Sequence, residues 1–297
     1  MIQPASTMKR KTHTEGTDAK AAAAFTLTEL LVVVAVLAIL ALTVLPALGR
    51  AQPHSRAALC QRNLKQLAAA WQMYAEDYSG RIVANFGGGY RPAANEQAGW
   101  VTGWLDWSTA PDNTNVLFLT TPRYAALSPY LNGASHLFKC PADDYLSSSQ
   151  RARGWSQRVR SYSVNAYVGE NTPPGPSGPG GSAIYKQTRK ISEFRFPMPA
   201  EVAVFIDEHP DSRNDPIFWS PNSGENLPDF PAAYHNGAAV VAFADGHAAE
   251  HKWKGSLTTG SAARVTYLGR NNHRAPAGDQ DLSWLSFHTP RVSTNSF

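Results

Sequence analysis

Phe25-Thr26-Leu27-Thr28-Glu29-Leu30-Leu31-Val32-Val33-Val34-Ala35-Val36-Leu37-Ala38-Ile39-Leu40-Ala41-Leu42 is the stretch on which the reading of this chain turns. From Leu30 to Leu42 no polar residue occurs, and the run continues to Leu48 interrupted only by Thr43 and Pro46. The 19 residues Leu30 to Leu48, read as a helix, are about long enough to cross a hydrocarbon layer. Lys9, Arg10, Lys11 and Lys20 precede the run, so the positive-inside bias places residues 1–24 in the cytoplasm and the rest outside. A carboxylate at the mouth of such a run is costly in lipid, so Glu29 needs a reason and a partner.

Beyond Pro46 and Pro53 the pattern becomes amphipathic. Cys60, Leu64, Leu67, Trp71, Tyr74 and Tyr78 follow one another at spacings of 4, 3, 4, 3 and 4, one stripe of a helix. Gln61, Arg62, Lys65, Gln66, Gln72 and Glu76 occupy the other side, and Ser79-Gly80 marks the end. The stripe predicts a helix seated on a β-sheet, and the fold class is α+β, with a long N-terminal helix packed on an antiparallel sheet. Strands are expected at Ser161–Val168, Glu201–Asp207 and Ala238–Ala244, the last turning at Asp245-Gly246 into His247–Trp253 as a hairpin. Residues 111–133 read as turns around a short helix. Phe86-Gly87-Gly88-Gly89-Tyr90 reads as a loop, and Glu170 to Ser182, dense in Pro and Gly, as a surface insertion.

Four segments follow: a leader at 1–24, a membrane helix at 25–48, its amphipathic continuation at 49–80 and an extracytoplasmic β-rich region at 81–297. The leader carries a net +2 of the chain's formal +4, so only +2 remains beyond it, and no nucleic-acid partner is expected. No second apolar run reaches bilayer length. No phosphate loop, dinucleotide fingerprint, Gly-x-Ser-x-Gly or His-Glu-x-x-His occurs, and no enzymatic activity is expected.

Phe25, Glu29 and the apolar run behind them resemble the type IV prepilin and type II secretion pseudopilin family. The resemblance implies cleavage between Ala24 and Phe25 by a prepilin peptidase, methylation of the new Phe25 amine, and assembly with other pilin-like subunits from the inner membrane. It gives Glu29 its partner, the amine of a neighbouring subunit, so that two charges costly in lipid compensate one another. The family usually has Gly before the cut, and Ala24 keeps a small residue there. An ordinary secretory signal peptide would share the basic start and apolar centre, with Gly49-Arg50-Ala51 as its cleavage site.

Cys60-x-x-Asn63-Leu64-Lys65-Gln66 with Tyr74 and Asp77 resembles a pseudopilin-like group of Planctomycetes and Verrucomicrobia. His235-Asn236-Gly237, with nine residues between His235 and Asp245-Gly246, resembles the H-X9-DG domain of the same bacteria, and Asp281 to Leu285 resembles its C-terminal segment. In that group Cys140-Pro141-x-Asp143 accompanies the earlier Cys. With only two cysteines in the chain, an oxidising compartment then implies a Cys60–Cys140 disulfide, two separate thiols being the alternative.

The function expected is a pseudopilin or minor-pilin-like structural subunit, the alternative being a membrane-anchored extracytoplasmic module for a glycan or a metal. No cofactor is required. Asp207, His235 and Asp245 nevertheless offer a metal set, carboxylates with backbone carbonyls suiting Ca²⁺ and a His with carboxylates suiting Zn²⁺. The simpler reading makes Asp245-Gly246 a turn and His235 the opening of a strand. Trp100, Trp104 and Trp107 beside Asp106 offer rings for a sugar, or else core packing.

Overall fold

The computed structural model describes residues 26–171, 185–221, 226–258, 264–269 and 273–291, without the side chains of 43–55, 226, 258 and 273. Ala24, Phe25 and most of the Pro/Gly insertion lie outside these residues. The chain divides into two units, Met1–Gly49 and Arg50–Phe297. Helix α1 (Leu27–Asp77) begins in the first and ends in the second.

In the first unit α1 starts on a capping box. Thr26 Oγ1 accepts from the Glu29 N–H at 3.3 Å, and Glu29 Oε2 accepts from the Thr26 N–H at 2.9 Å and its hydroxyl at 2.7 Å. Glu29 therefore has a local partner that the sequence reading did not assign. The apolar side chains that follow are exposed on every side, from Leu27 at 78% through Val36 at 50% to Leu42 at 74%. Among the described residues no helix is long and apolar enough to cross a membrane. The expected span runs on through 43–48, whose side chains lie outside the description.

In the second unit the stripe on α1 is buried as its spacing requires. Cys60, Leu64, Leu67, Trp71 and Tyr74 join the main core, together with Ala68. Tyr78 departs from the expectation: it follows the helix end, is half exposed and stacks on Tyr74 at 4.3 Å between ring centres. Ser79 adopts φ 56°, and the Gly80 N–H bonds the Ala75 carbonyl at 2.7 Å, a six-to-one closure of the Schellman kind.

Among the described residues five strands form the main sheet: β1 (Tyr162–Asn165), β2 (Ala203–Asp207), β3 (Ile217–Phe218), β5 (Ala238–Phe243) and β6 (Ala248–Lys252). Their order across it is β3-β1-β2-β5-β6. β4 (Asn226–Leu227) and β7 (His273–Arg274) pair separately. The expected antiparallel sheet is in fact mixed. Pairs β1–β2, β2–β5 and β5–β6 are antiparallel, but β3 lies parallel to β1, with Val164 opposite Ile217. The cause is topological: the chain leaving β2 steps past β1 and returns on its far side, so it runs in the direction of β1.

β5 explains why the sheet needs cover on both faces. Val240 and Ala242 join the core built on Leu64, Leu67 and Trp71, whereas Ala239, Val241 and Phe243 join a second core. That second core contains Trp253 and Leu282 and Leu285 of a further helix, α2 (Gln280–Phe287). Six consecutive buried residues in β5 follow, each apolar. Asp279 caps α2, its Oδ1 accepting from the Asp281 and Leu282 N–H groups at 2.9 and 3.1 Å. The α1 stripe therefore seats on one face, as expected, while the opposite cover could not be anticipated from a helix so short.

The β5–β6 hairpin closes at Asp245-Gly246. Gly246 has φ +91°, and a Cβ there would stand 2.9 Å from Gln72 Oε1 on α1. Gln72 in turn donates to the Ala244 carbonyl at 3.0 Å, so the turn is clamped to the helix.

Candidate functional site

Four buried side chains from four parts of the second unit converge: Cys60 on α1, Cys140 after a 3-10 turn at Ser135–Phe138, Asp207 at the end of β2, and His235. His235 is placed by Asn236-Gly237, both at positive φ (54° and 84°), with His235 and Ala238 exchanging two backbone hydrogen bonds at 3.2 Å. This is the geometry of a tight type I′ turn, for which Asn-Gly is the favoured pair. Asp207 arrives by register, since it lies opposite Tyr162 in the β1–β2 ladder.

The donor atoms of the four all lie within 4.8 Å of one another. Cys60 Sγ is 3.5 Å from Asp207 Oδ2, Cys140 Sγ is 3.4 Å from His235 Nε2, and His235 Nε2 is 3.6 Å from Asp207 Oδ2. The Tyr162 hydroxyl stands 3.2 Å from Cys60 Sγ. Asp207 Oδ1 and His235 Nδ1 are buried with no hydrogen-bond partner among the described residues. Cys60 and Cys140, the pair implied for a disulfide, stand in this structure as free thiols with their sulfurs within 4.8 Å of each other.

Burial governs the charges here. It pushes the Cys60 thiol up to about 11 and the Cys140 thiol well above its ordinary value. Burial also raises the Asp207 carboxyl, and for His235 it opposes protonation but is outweighed by Asp207 and Cys140, which bring the imidazole up to about 10.

The sequence-derived metal set is corrected in one member. Asp245 lies on the exposed β5–β6 turn and bonds His247 Nδ1 at 2.6 Å, so it does not join Asp207 and His235. The two cysteines stand in the set instead, which the sequence reading missed by assigning them to each other. Glu208 and His209 also turn elsewhere. Glu208 accepts from the hydroxyls of Ser163 and Ser212, and His209 Nδ1 accepts from the Asp211 N–H at 3.2 Å.

A second polar cluster went unread. Asp143 Oδ2 accepts from Lys139 Nζ, Arg213 Nη1 and Ser161 Oγ, each at 2.7 Å, with every partner buried. Burial opposes the carboxylate, but Arg213 and Lys139 hold it well below the usual range. Burial likewise brings Lys139 down to about 8.

The tryptophans divide. Trp100 is core, bonding Asn85 Oδ1 at 3.1 Å, and only Trp104 is substantially exposed. Trp107 carries the Arg158 guanidinium 3.8 Å from its ring centre and donates to Asp211 Oδ1 at 3.0 Å. A cleft of about 300 Å³ lies between Trp104, Trp107, Asp211 and Tyr267. With one face of Trp107 already covered, it does not present the open ring platform expected for a sugar.

Comparison with known proteins finds no matching family model, no matching curated protein and no matching solved structure.

Proposed function

We propose that this protein is a pseudopilin or minor-pilin-like structural subunit. A prepilin peptidase matures it, and it assembles through its N-terminal helix into a type II secretion or type IV pilus-like filament. The observation that carries the reading is the apolar sleeve of α1. Between Leu27 and Leu42 only Glu29 is charged, and the large apolar side chains lie exposed within the chain itself. Apolar surface in water costs about 25 cal/mol per Å², so such a sleeve requires lipid or like helices around it.

In this reading residues 1–24 are a cytoplasmic leader, the helix is anchored in the inner membrane, and Arg50–Phe297 stands on the extracytoplasmic side. Cleavage before Phe25 leaves Thr26 in place, so the capping box survives maturation. Glu29 then answers both the N-terminal amides of its own helix and the amine of a neighbouring subunit. The role is structural, and no catalytic step is assigned.

Co-expression with a prepilin peptidase tests the reading. Mass spectrometry of the mature N-terminus is expected to give N-methyl-Phe25, whereas a start at Arg50 or Gln52 would mean a secretory signal peptide and overturn it. Glu29→Val is expected to insert but to enter filaments poorly, and equal incorporation would remove Glu29 from the assembly step. The second reading is a membrane-anchored glycan- or metal-binding module, and the four-donor cluster favours its metal-binding form. Presence of the chain in sheared, purified filaments separates the two.

A further inference from the structure

We propose that Cys60, Cys140, Asp207 and His235 form a tetrahedral site for one divalent transition-metal ion, zinc(II) by ligand chemistry. The inference is independent of the filament reading, because all four ligands lie in Arg50–Phe297.

Geometry is the first support. Zinc bonds of about 2.3 Å to sulfur and 2.0–2.2 Å to nitrogen or oxygen, at tetrahedral angles, put ligand atoms about 3.4–3.8 Å apart. The contacts Cys60 Sγ–Asp207 Oδ2, Cys140 Sγ–His235 Nε2 and His235 Nε2–Asp207 Oδ2 measure 3.5, 3.4 and 3.6 Å. These are tetrahedron edges from three ligand pairs that together join all four residues.

Donor chemistry is the second. Two sulfurs, an imidazole nitrogen and one carboxylate oxygen exclude the oxygen-only preferences of calcium and magnesium and suit zinc. Four protein ligands leave no open position, so the site is structural and carries no bound water for catalysis.

Burial is the third. Asp207 Oδ1 is a buried acceptor without a partner among the described residues, and an unsatisfied buried polar atom is costly. A dication beside the carboxylate offsets that cost. A disulfide would leave Asp207 and His235 facing an uncharged sulfur pair. On binding, the two thiol protons and the proton on His235 Nε2 pass to solvent, so that two thiolates and a neutral imidazole become ligands. The ion then ties α1 to the 3-10 segment before Cys140, the end of β2 and the turn that opens β5, which gives His235 and its Asn-Gly turn a purpose beyond the hairpin.

The test uses the full-length chain in detergent, purified with its thiols reduced, and zinc and cobalt(II) as probes. One equivalent of zinc is expected by elemental analysis. Cobalt is expected to give the intense visible bands of a tetrahedral site and thiolate-to-cobalt charge transfer corresponding to two sulfurs. Cys140→Ser should lose about half the charge-transfer intensity and Asp207→Asn should lower metal retention against a chelator, whereas Asp245→Asn should leave both unchanged. If Cys140→Ser fails to fold, the sulfur count from the wild-type cobalt spectrum decides alone. Reduced chain that takes up neither ion overturns the proposal, as does an octahedral, sulfur-free cobalt spectrum. Metal-free protein isolated from its own compartment with Cys60 bonded to Cys140 overturns it equally.

Discussion

Removing the Asp143 carboxylate exposes how much of the second unit rests on buried charge. One oxygen, Oδ2, receives Lys139, Arg213 and Ser161 at 2.7 Å each, and the side chains of Asp143 and Arg213 are wholly inaccessible. Asp143→Ala leaves Arg213 buried without its closest counter-charge and unable to shed its proton, while Lys139, already brought down to about 8 by burial, loses the carboxylate that holds it charged. Breaking a buried pair from one side costs about 3–5 kcal/mol. For a unit of this size that is a fall of roughly 6–20 °C in melting temperature. Asp143→Asn should cost less, because an amide oxygen still accepts from Ser161.

Intrinsic fluorescence of the full chain in detergent provides the assay. All eight tryptophans, from Trp71 to Trp284, lie in Arg50–Phe297, so the signal reports on that unit. The pH dependence gives a second readout. A carboxyl depressed by folding contributes stability that is present above its unfolded value of about 3.9 and is lost as pH falls toward the folded value. The gap between wild type and Asp143→Ala should therefore narrow in strong acid. A loss below about 1 kcal/mol at neutral pH, the median for exposed pairs, or a gap that does not narrow in acid, would refute the reasoning.

Two further outcomes follow from single positions. Gly246→Ala should destabilise the second unit by about 1–3 kcal/mol, because φ is +91° and the new Cβ meets Gln72 Oε1 at 2.9 Å. Adding Gln72→Ala should recover only the contact part, and full recovery in urea melts would show that the backbone angle costs nothing. His251 stacks on Trp284 at 3.9 Å, and burial, then His288 and Lys254, bring its imidazole down to about 4. A base depressed by folding contributes stability that is complete above about 6.5 and is lost as pH falls toward 4. Denaturant midpoints should fall across that window in wild type and less so in His251→Phe, and an identical slope in the variant would remove His251 from the account.

Local pattern and tertiary placement divided this protein between them. The α1 stripe from Cys60 to Tyr74 and its end at Ser79-Gly80 were legible because helical period and positive-φ turn chemistry act within a few residues. The hairpin at Asp245-Gly246 was legible for the same reason, whereas Asn236-Gly237, read as the opening of a strand, proves to be a tight turn before it. The parallel pairing of β3 was not, since a two-residue strand carries no period and its direction depends on which neighbour the returning chain passes. Asp245 was chosen as a ligand because a carboxylate at a strand end looks the same from either side, and only the fold shows that its turn faces solvent while Asp207 points inward. Helical period and turn residues were enough to mark the buried stripe of α1 and the β5–β6 turn. Which buried donors meet was decided by tertiary structure alone, because Cys60 and His235 stand 175 positions apart. No local rule reaches across such a separation, and only strand register and helix seating bring their atoms to one point.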